Sequence, residues 1–130
     1  MYNTIITDLE GLVVSSAWVD LPTTYPDEFK EEITEMTYLK YGIILTNTTS
    51  YYAEYSVTGL ISIRIFYPKT ESKRYAALIA DKLNTILSKV MIGSGAIQTS
   101  SSNLQFLGVD PENTTLQRAT FTVPFTYSGE

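Results

Sequence analysis

The chain has 130 residues, a net charge of −5, no histidine and no cysteine. The missing imidazole and thiol exclude Ser-His-Asp and Cys-His catalysis, Cys-based metal sites and disulfides, leaving carboxylates and lysine as candidates for chemistry. The acidic balance also argues against a nucleic-acid binder, which needs a basic face to displace counterions from phosphate.

With 44% hydrophobic residues, the sequence reads as one domain spanning 1–130. Its start, MYNTIITDLEGLVV, lacks the basic segment, long apolar run and cleavage site of a secretory signal, and no apolar run is long enough to span a bilayer. A soluble protein made in the cytoplasm is expected. Asn47-Thr-Thr and Asn113-Thr-Thr then read as turns rather than glycan acceptors.

Residues 2–12 fit a short amphipathic helix with Ile5, Ile6, Leu9 and Leu12 on one face, ending at Gly11 or soon after. Val13 to Val19 reads as a short strand carrying Trp18. Leu21-Pro22 and Tyr25-Pro26 break regular structure, because proline lacks a donor and restricts the residue before it. Residues 27–35, DEFKEEITE, form a loop or short helix on the surface.

TYLKYGIILT alternates Leu39, Tyr41, Ile43 and Leu45 against Tyr38, Lys40, Gly42 and Ile44, the period of a half-buried strand. Residues 47–55 are turn-rich. GLISIRIFY then alternates Ile61, Ile63 and Ile65 against Ser62, Arg64 and Phe66, so an antiparallel hairpin is expected. Pro68 ends the strand, and Thr70 or Ser72 caps a helix. Tyr75, Ile79, Leu83, Ile86 and Val90 recur at helical spacing, with Gly93 and Gly95 as the stop. AIQTSSSNLQFLGVD is a strand interrupted near residues 100–102, and Asp110-Pro-Glu-Asn a turn. LQRATFTVPFTY alternates cleanly, and its Pro124 favours a sheet edge. The expected fold is α+β: a mostly antiparallel four- to five-stranded sheet with one long and one short helix, in the order α-β-β-β-α-β-β.

No motif carries catalysis. The acids of residues 27–35 read as a solvated face, Gly93-Ser-Gly95 as a helix ending rather than a phosphate loop, and Asp110, Glu112 and Asn113 as a turn rather than a cation site. No cofactor or metal is expected. Interaction features remain. Residues 1–60 hold nine acids against Lys30 and Lys40, whereas residues 61–130 hold five acids against seven bases. This asymmetry reads either as a solvated acidic face or as a self-complementary surface. Tyr51, Tyr52 and Tyr55 lie in the hairpin loop, either packed locally or forming a binding arm. The candidate interface residues are therefore Tyr51, Tyr52, Tyr55, Glu28, Glu31, Glu32, Arg64 and Arg118.

The strand GLISIRIFYP, the small-residue helix RYAALIADKL and the closing strand TFTVPFTY together resemble the tail terminator (tail completion) proteins of long-tailed bacteriophages. The match runs over roughly residues 37–127, and Trp18 with the proline-rich segment after it also suits the family. The resemblance implies a ring, commonly a hexamer, in the virion at the head-proximal end of the tail. That ring would cap the tail tube, stop its growth and offer the surface for head joining. Tail tube protein and a head–tail connector protein are the implied partners, with no catalytic residue and no membrane. The alternatives are another tail or connector component, such as a tube subunit or stopper, or a small carboxylate-dependent enzyme or ligand-binding module.

Overall fold

The computed structural model describes residues 2–13, 21–29, 36–51, 54–92 and 96–129. The expected strand at Val13 to Val19 with Trp18, most of the acidic run and the Gly93-Ser-Gly95 segment lie outside the described residues. Helix α1 (Tyr2–Val13) buries Ile5 and Leu9 completely and passes through Gly11. Seven strands follow: β1 (Thr24–Pro26), β2 (Tyr38–Tyr51), β3 (Glu54–Pro68), then, after helix α2 (Lys73–Leu87), β4 (Met91–Ile92), β5 (Ile97–Thr99), β6 (Asn103–Val109) and β7 (Leu116–Gly129).

The sheet described is therefore larger than the four or five strands the sequence implied, and it is mixed, because β1 lies parallel to β2 while the other pairs are antiparallel. Four strands follow α2 instead of two. Two features account for this. The proline-flanked residues 24–26 do not merely break structure. They lie parallel to β2, fixed by Leu39 N–H donating to Thr23 O and Asp27 N–H donating to Tyr41 O, each at 2.9 Å. Pro26 is tolerated there because β1 lies at the rim of the sheet. The stretch after α2 divides into β4, β5 and β6, of which β5 and β6 pair one after the other with the same side of β7.

Both helices cover one face of the sheet. Ile5 and Leu9 of α1, and Ala76, Ile79, Ala80, Leu83 and Leu87 of α2, join Leu39, Ile61, Ile63, Ile65, Phe121, Val123 and Phe125 in one core. Ala76 and Ala80 allow α2 to lie close to the strands. The residues between these inward positions, such as Lys40, Arg64 and Thr120, share the opposite face by the two-residue period of a strand.

Three further expectations are corrected. Residues 47–51 and 54–55 are strand rather than loop: β2 and β3 stay paired to Tyr51 and Glu54. A bulge between Leu45 and Asn47 absorbs Thr46, whose hydroxyl donates to Thr58 O at 3.1 Å, and the Thr-rich stretch beyond suits a strand. Helix α2 ends at Leu87, short of Val90. The buried Thr99 hydroxyl donates to Leu87 O at 2.6 Å and accepts from Val90 N–H at 2.8 Å, drawing the chain into β4. Lys89 makes the turn with φ 55. Finally, β7 is central and not an edge, pairing with β3 along one side and with β5 and β6 along the other. Pro124 fits because it lies opposite the break between β5 and β6, where its carbonyl accepts from Ser100 N–H.

Gly59 fixes a close approach in this core. A Cβ there would meet Ile44 O and lie 2.7 Å from the Phe125 ring, two obstacles with no room to retreat. Gly59→Ala is expected to lower stability by about 1–3 kcal/mol through overpacking, read from the denaturant midpoint. Gly11→Ala, with open space around its Cβ, serves as the control that does not lose stability.

Candidate functional site: the uncovered face and rims of the sheet

The face opposite the helices brings Arg64 and Arg118 together. Lys40 pairs with Arg64 across β2 and β3, and Phe66 pairs with Arg118 across β3 and β7. These cations border a pocket of about 90 Å³ whose floor is Tyr38 and Phe66, stacked with ring centroids 4.6 Å apart, and whose wall includes Asp110 and Glu112. Tyr25 meets Tyr38 edge-on and stacks on Phe29, so a second, smaller apolar cluster lies on this face.

The pocket is lined by three cations, Lys40, Arg64 and Arg118, and two acids, Asp110 and Glu112. Arg64 donates to Asp27 at 2.9 Å, with both side chains more than a third exposed, a pair worth roughly 0–1 kcal/mol. Gly42 makes the pair possible, since a Cβ there would occupy the position of the Asp27 carboxylate. Asp110 is buried and accepts from Glu112 N–H, so the turn is held by its own side chain. Only Arg118 Nε is buried without an acceptor among the described residues. The pocket is far smaller than the roughly 300 Å³ at which ligand sites begin.

The other expected interface residues fare differently. Tyr55 is exposed and paired with Ser50 near the hairpin tip. Tyr51 lies at the end of β2, its side chain outside the described residues, as are Tyr52, Glu31 and Glu32. Glu28 is exposed, and it is its neighbour Asp27 that engages Arg64. The acidic segment and the basic strand thus meet within one molecule at Asp27.

Sequence reasoning missed the rims. Exposed large apolar side chains collect at both sides of the sheet: Tyr2, Met36 and Ile44 beside β1 and β2, and Met91, Phe106, Leu107 and Val109 on β4 and β6. Tyr2 and residues 45–48 line an open groove of about 370 Å³, across which the Tyr2 and Thr48 hydroxyls are hydrogen-bonded at 3.0 Å. The hydrophobic alternation that identifies a strand does not say which strand ends a sheet, so no local signal marked these positions.

Between rim and core, Tyr41 Oη donates to Glu10 Oε2 at 2.8 Å, joining β2 to α1. Burial, this bond and the nearby carboxylates push the Tyr41 phenol from its ordinary value of 10.0 up to about 12. The folded state holds a proton that the unfolded chain releases. Stability from this group is therefore complete below pH 10 and is lost as pH rises to about 12. Tyr41→Phe is expected to flatten that alkaline decline, measured as denaturant midpoints across the interval. Some slope remains from Tyr67, which burial also raises.

Among the described residues no group of three or more acidic, His or Cys side chains is placed to hold a metal ion, and no helix is long and apolar enough to cross a membrane. No family model matches the chain, and no curated protein matches it significantly. Among solved structures, one that carries no functional name superposes with a TM-score of 0.70 over 98% of this chain and 95% of the other, at 13% sequence identity. At that identity the likeness shows a shared fold and nothing more.

Proposed function

We propose that the chain is a structural protein of the tail-terminator type, which forms a ring on the last ring of tail-tube subunits in a long-tailed phage. There it stops tube growth and offers the surface for head joining, acting by binding alone, with tube protein and a head–tail connector protein as partners. One observation carries the reading. The three segments behind the sequence resemblance, GLISIRIFYP in β3, RYAALIADKL in α2 and TFTVPFTY in β7, fold into a single packed unit of two neighbouring central strands and the helix above them. The small size of the pocket and the apolar rims support contact with proteins over chemistry on a ligand.

The test combines light scattering of the purified protein with negative-stain images of it mixed with tail tubes. Rings in solution and density at one end of each tube are the expected result. A strictly monomeric protein that leaves tube ends bare overturns the reading. Long tubes formed by this protein alone would make it a tube subunit instead.

A further inference from the structure

The sheet is five strands wide at both ends, but the five strands differ. Through Arg64 a continuous row of partners runs Tyr25, Lys40, Arg64, Thr120, Gln105, crossing β1, β2, β3, β7 and β6. Through Thr58 the row runs Asn47, Thr58, Thr126, Gln98, Met91, crossing β2, β3, β7, β5 and β4. One rim therefore steps outward at β1 and inward along the far part of β2. The other rim steps inward at β6 and outward at β4. A second copy displaced by one sheet width would set β1 beside β6 and β4 beside β2.

Strand directions permit this. β7 runs with β2, because each is antiparallel to β3, and β6 runs against both. β1 runs with β2, so β6 would meet β1 antiparallel, while β4 would meet β2 parallel. Both pairings are ordinary sheet geometry.

Side chains agree. Met91, 70% exposed, occupies the row of Asn47, which lines the groove beside Tyr2 on the opposite rim. Neither residues 42–51 nor residues 103–109 contain a charge, the usual guard of an exposed edge. The helices behind the two halves of the sheet differ in charge: α1 carries only acids, Asp8 and Glu10, whereas α2 carries Lys73, Arg74 and Lys82 against Asp81. Lys73 itself lies over the Phe106 ring of β6 at 5.5 Å.

We infer that the two rims form one head-to-tail contact between copies of this chain, with Met91 of one copy beside Asn47 of the next on the face away from the helices, and β6 alongside β1. This deepens the terminator reading by naming its subunit contact, and rests on that reading only for closure of the row into a ring. Such a contact uses different patches on the two partners, so it repeats from copy to copy, and where the rotation between copies closes, the resulting ring leaves no rim open.

The chain has no cysteine, so engineered thiols report without background. Neighbouring strands lie roughly 4.7–4.9 Å apart, within the reach of a disulfide. The full-length Asn47→Cys, Met91→Cys double variant, mildly oxidised, is expected to give a covalent ladder whose top band matches the native oligomer. Each single variant should stay monomeric on the same denaturing gel. Absence of a ladder, or ready dimers from Met91→Cys alone, overturns the contact. Met91→Lys, at a position already in water, should raise the concentration for assembly about tenfold or more with an unchanged Tm, and unaltered assembly counts against the contact. A wild-type protein that rings on tube ends but fails both tests sinks this contact alone. A wild-type monomer that binds no tube sinks the terminator reading with it.

Discussion

The antiparallel pairing of β3 with β7 is the constraint on which the other elements depend. It runs unbroken from Tyr55 and Gly129 to Pro68 and Leu116, and its inward positions, including Ile61, Ile63, Ile65, Ala119, Phe121 and Val123, are almost wholly buried. Burying side chains of this size stabilises by about 1.5–3 kcal/mol each relative to exposure. The pair is therefore the platform on which both helices rest. It joins residues far apart in sequence, so the intervening chain has to return to it. Helix α2, the β4–β5 hairpin and β6 are all part of that return.

Polar contacts decide where the return path bends. Thr99 stops α2 by taking its last carbonyl, and Asn84 Oδ1 accepts from the hydroxyls of both Ser88 and Ser102. The end of the helix is thereby tied to the break between β5 and β6. β5 and β6 flank the same side of β7, and the rim steps outward where β4, reached through the Thr99 contacts, pairs outside β5. The step in the sheet outline thus follows from a few hydroxyl and amide contacts at a helix terminus, and the step is what distinguishes one rim from the other.

Much of this was legible in the sequence where a local pattern was strong. The alternation in β2, β3 and β7, the helical spacing of Ile79, Leu83 and Ile86, and the interruption at residues 100–102 all reported local geometry. What escaped was decided by distant partners. Nothing local makes residues 24–26 a strand; β2 recruits them through two backbone bonds. Nothing local ends α2 at Leu87, because the group that ends it lies on β5. Arg64 and Arg118 were legible as outward-facing strand residues, whereas their shared pocket required the β3–β7 register. Met91 resembled the tail of a helix and proved to be the most exposed large apolar side chain on a rim.

Pro124 serves one more purpose. Alternation of apolar and polar residues forbids β7 from slipping by one position, since every buried side chain would then face water. It does not forbid a slip by two, which keeps each side chain on its own face. Pro124 points its carbonyl toward the β5–β6 side, as its even-numbered neighbours Thr122 and Thr126 do where they pair with Asn103 and Gln98. A slip by two would carry the proline into one of those paired positions, where the ladder needs an amide hydrogen that proline lacks. A single imino acid thus indexes the sheet, excluding the misaligned folds that hydrophobic patterning would tolerate.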